Sequence, residues 1–277
     1  MGQTQDATSG SGGSALVAFI IQVSVRWLVG FGVIGLSACA DHVWQARLPK
    51  DIKVIVDVTR STPPAQALQY YGFVRNLIDR LEDQDRVVAL AITESSFARP
   101  CILLEGTIPT DDRDLKPRVL AARDSLAKQW GAIADSLVPR YQASDVFGAI
   151  EYASMLFRGA ASTPWLIILS DFRNSTPTLN VEIMEAIDVE HALAQLQNAG
   201  SIPNLRGVRV AVLGLHTDGK SVRYHESMES FVLEYFKAAQ ADLVTIRVDL
   251  NWQPFSFFKG AKALIINRDH SIAFENL

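Results

Sequence analysis

Residues 52–61 read IKVIVDVTRS, a short apolar-rich run that closes on Asp57 and continues as Val58-Thr59-Arg60-Ser61. The run Ile52–Asp57 lacks regular polar–apolar alternation and is rich in β-branched residues. That is the pattern of a parallel strand covered on both faces. An Asp at the carboxyl end of such a strand, followed by two hydroxyls two residues apart, turns three oxygens toward one point. Oxygen donors of this kind suit a hard divalent cation such as Mg²⁺.

Working outward, four more runs have the same character: Arg86–Thr93, Trp165–Ser170, Val208–Gly214 and Leu243–Asp249. A sixth, Cys101–Glu105, follows the second after a short turn and reads as the edge strand of a hairpin. Helical periodicity lies between them. Gln66–Leu81 places Leu68, Tyr71, Val74, Ile78 and Leu81 on one stripe, and Asp112–Leu137 repeats apolar residues at spacings of three and four. Asp145–Phe157 follows Ser144 in a capping position, Val181–Asn198 ends before Gly200, and Met228–Ala239 follows Ser227. Strand–helix alternation predicts an α/β fold: a doubly wound, mostly parallel sheet with helices on both faces and one antiparallel edge strand. The carboxyl ends of the parallel strands then share one edge, where sites form.

Composition agrees with one sizeable globular domain. The chain has 277 residues, 48% of them apolar and 20% charged, which excludes a disordered polypeptide. Cys 2 excludes a disulfide-dense scaffold. A net charge of −4 supplies no electrostatic footprint for nucleic acid. The five histidines are scattered without a zinc-ligand spacing.

Two further loops carry a hydroxyl beside a carboxylate: Ser144-Asp145 opens a helix, and Ser170-Asp171 closes the strand Trp165–Ser170. Together with Asp57, Thr59 and Ser61, these loops resemble the metal-ion-dependent adhesion site of the von Willebrand factor type A (vWA) family. That pattern has D-x-S-x-S after the first strand, a Thr in a second loop and an Asp after the fourth strand. Thr59 stands where the family has Ser, and Ser144 where it has Thr, so both positions keep a hydroxyl. Phe172 follows Asp171 where the family usually has Gly. It either crowds the loop or offers an apolar contact at the rim. The resemblance covers roughly residues 50–250. It implies Mg²⁺ (or Mn²⁺) held by Asp57, Thr59, Ser61, Ser144 and Asp171, with an open position filled by an Asp or Glu carboxylate of a protein ligand.

The amino-terminal part reads differently. Residues 1–14 are polar and Gly/Ser-rich, and Ala15 to Ala38 is almost continuously apolar apart from Gln22 and Arg26. Arg26 followed by WLVGFGVIGL has the order of a secretory signal. The ending Leu36-Ser37-Ala38-Cys39 resembles the bacterial lipobox, which implies lipidation at Cys39. A plain transmembrane anchor is the alternative. The expected organisation is a disordered start and signal or membrane segment at 1–38, a tether at 39–49, the vWA-like domain at 50–250, and a carboxyl-terminal extension at 251–277 packed on or near it. The expected location is the bacterial cell envelope, with the domain outside the cytoplasm. There Cys101 would have to be buried to persist as a thiol.

Other residues have ordinary readings. His191 falls on a mostly apolar stripe and is expected to pack there. His216 and Asp218 sit in a turn just after a strand. Arg60 and Arg173 flank the proposed metal and are expected to be exposed. Trp252, Phe255, Phe257 and Phe258 are expected to pack under the carboxyl-terminal segment. The function expected is a membrane-tethered, metal-dependent protein-binding module and not an enzyme. One alternative is a metal-free vWA-like scaffold. Another is a Mg²⁺-dependent phosphoryl-transfer enzyme using Asp57, which would need an acid–base group where Thr59 stands.

Overall fold

A computed structural model of the chain describes residues 47–110, 116–137, 141–157, 159, 162–250 and 252. Its strands are β1 (Lys50–Asp57), β2 (Arg86–Ile92), β3 (Cys101–Thr107), β4 (Thr163–Leu169), β5 (Arg209–Leu213) and β6 (Asp242–Arg247). Its helices are α1 (Pro64–Ile78), α2 (Lys116–Ala134), α3 (Val146–Met155), α4 (Val189–Asn198) and α5 (Val222–Ala238). The sheet order is β3-β2-β1-β4-β5-β6. β1 lies at the centre between β2 and β4, parallel to both, and only the β2–β3 pairing is antiparallel. The expected architecture, antiparallel edge included, is what the chain forms.

The sheet separates two apolar layers. Ile52, Val54, Val56, Ile167 and Leu169 pack with α1, α2 and Trp252 on one face. Ile55, Val88, Leu90, Leu166 and Ile168 pack with α3, α4 and α5 on the other. Coverage on both faces explains why β1 and β2 are buried at every position, whereas edge strand β3 alternates. The amino ends of the strands carry buried ion pairs. Lys53 pairs with Asp51, Arg86 reaches Asp51 at 3.3 Å and, at the surface, the exposed Glu105 at 2.7 Å, and Lys50 reaches Asp85 at 3.1 Å.

Several local expectations change. Helix α4 begins at Val189 and not at 181, because Asp188 caps it by accepting from His191 N–H at 3.0 Å. Helix α5 begins at Val222, capped by Ser221; Ser227 lies inside it and accepts from Ile187 N–H instead. Leu68 is exposed on α1, and His191 is exposed on α4 with its ring 3.2 Å from the Gln195 amide. Amphipathic spacing alone could not distinguish these positions from core. Trp252 is buried and stacks on Phe73, 6.5 Å between ring centroids. Phe255, Phe257, Phe258, Cys39 and the whole apolar segment before it lie outside the described residues. Cys101 is only partly buried. Among the described residues, no helix is long and apolar enough to cross a membrane.

Candidate functional site

The site is built where β1 and β4 end. Asp57 is fully buried at the last position of β1. Its Oδ1 accepts from Thr59 N–H at 3.0 Å and from Thr59 Oγ1 at 2.6 Å, which folds the loop back over the strand end. Thr59 Oγ1 lies 2.9 Å from Ser61 Oγ and accepts from Ser144 Oγ at 2.8 Å. Four of the predicted residues therefore form one hydrogen-bonded chain, across 85 residues of sequence at its longest link.

The Ser144 loop is held by its neighbours. Thr59 bridges to Tyr141, and Arg60 N–H donates to Tyr141 O at 2.9 Å. Ser144 and Ser175 exchange bonds at 2.8 and 2.9 Å, and Asn174 Oδ1 accepts from Val146 N–H. The expectation that Ser144 caps the following helix is corrected. Asp145 is the cap, accepting from Gly148 N–H at 3.0 Å, and this leaves the Ser144 hydroxyl turned to Thr59.

Asp171 enters from the end of β4. Its Oδ1 accepts from Arg173 N–H at 3.0 Å, while its Oδ2 is buried with no hydrogen-bond partner. Burial, and next the charge of Asp57, push its carboxyl up to about 8. Asp57 is supplied with three donors, whereas Asp171, buried beside that charge with one oxygen lacking a donor, is destabilised as an anion in a way that a cation would relieve. Among the described residues no three His, Cys, Asp or Glu side chains gather to hold a metal. The donors here are instead two carboxylates and three hydroxyls. The unpartnered Asp171 Oδ2 and this all-oxygen set fit a hard divalent ion.

Phe172 is neither crowding the loop nor at the rim. It takes φ +62°, the backbone region that favours glycine, and its ring is fully buried against Phe147 and Phe236. Aromatic burial offsets the backbone cost and anchors the loop from below. Arg60 is exposed as expected, but Arg173 is not: its guanidinium grips the Glu182 carboxylate and is 14% exposed.

Sequence reasoning passed over two groups beneath the site. Ser170 donates to Asp57 Oδ2 at 2.7 Å and accepts from Phe172 N–H, so it ties the ends of β1 and β4 together. Its position next to Asp171 was the available signal. Tyr70 on α1 is fully buried, and burial followed by the charges of Asp57 and Asp171 pushes its phenol up. No spacing in the sequence joins α1 to these loops. The backbone at Gly214 crosses close above it, at φ +86°, where a Cβ would lie 2.4 Å from the Tyr70 hydroxyl. Gly214→Ala is therefore expected to cost about 2 kcal/mol or more. Urea unfolding of the two proteins checks this; equal midpoints would show that the loop accommodates a side chain.

No protein-family model matches this chain. No curated protein matches it by sequence. Solved structures do resemble it. The protein BatB from Bacteroides thetaiotaomicron is 17% identical, with a TM-score of 0.38 over 73% of this chain and 90% of that one. Proximal thread matrix protein 1 of the mussel byssus, whose metal-ion-dependent adhesion site holds zinc, is 13% identical, with a TM-score of 0.41 over 76% of this chain and 44% of that one. The manganese-loaded TRAP protein of Plasmodium vivax is 13% identical, with a TM-score of 0.41 over 70% of this chain and 74% of that one. The described chain spans less than half of the mussel protein. Its own strand order and single antiparallel edge make it a doubly wound, mostly parallel α/β domain.

Proposed function

We propose that the domain is a divalent-metal-dependent protein-binding module. Asp57, Thr59, Ser61, Ser144 and Asp171 would hold Mg²⁺ (or Mn²⁺), and the ion would supply an open position for an Asp or Glu carboxylate of a protein partner. The observation that carries this reading is the hydroxyl chain from Asp57 through Thr59 to Ser61 and Ser144, beside a buried Asp171 oxygen that lacks a partner. Hydroxyl ligands are neutral, so the two carboxylates would just balance a divalent ion's charge and leave its open position for an acidic group to fill. The chain's own part is to fix the donors. Ser170 and the Arg173 N–H orient the two carboxylates, and the Asn174–Ser175 turn orients Ser144.

The module is proposed to sit at the bacterial cell envelope, tethered through Cys39 or an amino-terminal anchor. It is proposed not to be an enzyme. Phosphoryl transfer through Asp57 is disfavoured because Thr59, hydrogen-bonded to Asp57 at 2.6 Å, cannot serve as acid or base near neutral pH.

The test is calorimetric titration of Mg²⁺ and Mn²⁺ into the full chain in non-ionic detergent, beside Asp57→Ala and Asp171→Ala. Saturable binding in the parent and none in either variant is the expected result. Absence of binding by a folded parent would leave a metal-free interaction scaffold.

A further inference from the structure

The Ser144 loop is fastened at the ends of three neighbouring strands. On the β1 side Tyr141 bridges to Thr59, and on the β4 side Ser144 exchanges hydrogen bonds with Ser175. On the β2 side Asp145 N–H donates at 2.8 Å to the carbonyl of Thr93, the residue that follows the strand. β2, β1 and β4 are adjacent in the sheet, so the loop lies along the edge that carries Asp57.

The side chain of Asp145 doubles the β2 fastening. Its Oδ1 accepts from Gly148 N–H at 3.0 Å and caps α3, while its Oδ2 accepts from Ser96 N–H at 2.7 Å. The turn after β2 is set to offer that N–H: Ser96 and Thr93 are buried, and Ser96 Oγ accepts from Thr93 N–H at 2.9 Å. A carboxylate suits this position because one short side chain must accept from two separate elements at once. Gly148 makes room for it, since a Cβ there would clash with both carboxylate oxygens. Asp145 joins no group of His, Cys, Asp or Glu able to hold a metal among the described residues. Its route to the site is through the next residue in the chain, Ser144, whose Oγ donates to Thr59 Oγ1 at 2.8 Å.

We propose that Asp145 is a positioning residue for metal binding: by tying the Ser144 loop to the turn after β2, it fixes the Ser144 hydroxyl within the ligand set. The proposal rests on the metal reading above. It adds the β2 turn, which supplies no ligand, to the structure that determines metal affinity. Loss of such a supporting contact weakens metal binding even when every ligand remains.

The experiment measures Mn²⁺ affinity of the full chain in non-ionic detergent, from the electron paramagnetic resonance signal of free Mn²⁺, beside the thermal unfolding midpoint in chelator. Parent, Asp145→Ser, Gly148→Ala and Asp188→Ala are compared. Asp145→Ser keeps a cap for α3 but has a single oxygen, so the bond to Ser96 N–H is lost. Gly148→Ala leaves Asp145 in the chain and displaces its carboxylate, although Ala favours a helix more than Gly does. Asp188→Ala removes the cap of α4, a helix that takes no part in the Ser144 loop. The expected result is Mn²⁺ affinity about tenfold weaker in Asp145→Ser and in Gly148→Ala. Asp188→Ala is expected to lower the midpoint and keep the parental affinity. Parental affinity in either of the first two variants overturns the role of Asp145 and leaves the metal site standing. An equal loss of affinity in Asp188→Ala also overturns it, because affinity would then merely follow stability. A parent that binds no Mn²⁺ overturns the metal reading and this inference with it.

Discussion

Asp171→Asn is expected to make the metal-free protein more stable at pH 8 while abolishing its response to Mg²⁺. Asp171 is 1% exposed, and its Oδ2 has no partner. Burial and the neighbouring Asp57 raise its carboxyl from an ordinary 3.8 to about 8. The folded state therefore binds a proton that the unfolded state has released. Stability falls as pH rises from about 4 through about 8 and is level above that window. Asparagine carries no charge to desolvate and keeps an acceptor for the Arg173 N–H. The gain is expected to be absent below pH ~4 and to grow to a few kcal/mol by pH 8. In a domain of this size that is roughly 2–4 °C in Tm for each kcal/mol. Urea melts in a chelator at pH 4, 6 and 8 measure it. A variant less stable than the parent at pH 8 would falsify the picture of a carboxylate held against its own charge.

Phe147→Ala is expected to be the most damaging single change away from the site. The ring is 2% exposed on α3 and meets Phe172 at 5.9 Å, Phe231 at 5.8 Å and Tyr235 at 4.9 Å between centroids. It thus joins α3, α5 and the loop that carries Asp171. Removing a buried Phe costs about 3–5 kcal/mol, through lost transfer energy and the cavity left behind. The deletion also removes the ring that holds Phe172 at its positive φ, so the Asp171 loop is expected to relax with it. Two measurements separate these effects: unfolding free energy, and Mn²⁺ affinity under conditions where the variant is folded. A destabilisation under 1 kcal/mol would mean that the aromatic cluster repacks around the gap.

The comparison of Ser144 with Asp145 shows where pattern reading stops. Both are capping residue types at adjacent positions, and the sequence pattern placed the cap at Ser144, one residue early. The pairing of Tyr141 with Thr59 sets the loop's register, and that register assigns the cap to Asp145 and leaves Ser144 for the site. Arg173 is a similar case. A polar residue beside a proposed metal reads as exposed, yet Glu182, nine positions on, draws it down into an ion pair. The helix expected from 181 fails for the opposite reason: its apolar spacing continues past the point where Asp188 starts the hydrogen-bonded turns, and Ile183 is left 79% exposed.

What the sequence by itself determined is the sheet and the loops that end its strands. Unbroken β-branched runs bury on both faces of a parallel sheet, and their spacing leaves room for crossover helices. That places Asp57, Thr59, Ser61 and Asp171 at one edge. Only the tertiary structure decided how those residues meet: which oxygen Ser144 touches, that Asp171 keeps an unpartnered oxygen, that Phe172 turns inward at positive φ, and that Tyr70 lies buried in the field of both carboxylates. Strand formation follows from local side-chain periodicity, which a sequence displays. Convergence of hydroxyls and carboxylates depends on register between segments up to 113 residues apart, as in the Ser170–Asp57 bond, and on desolvation that exists only once both layers have packed.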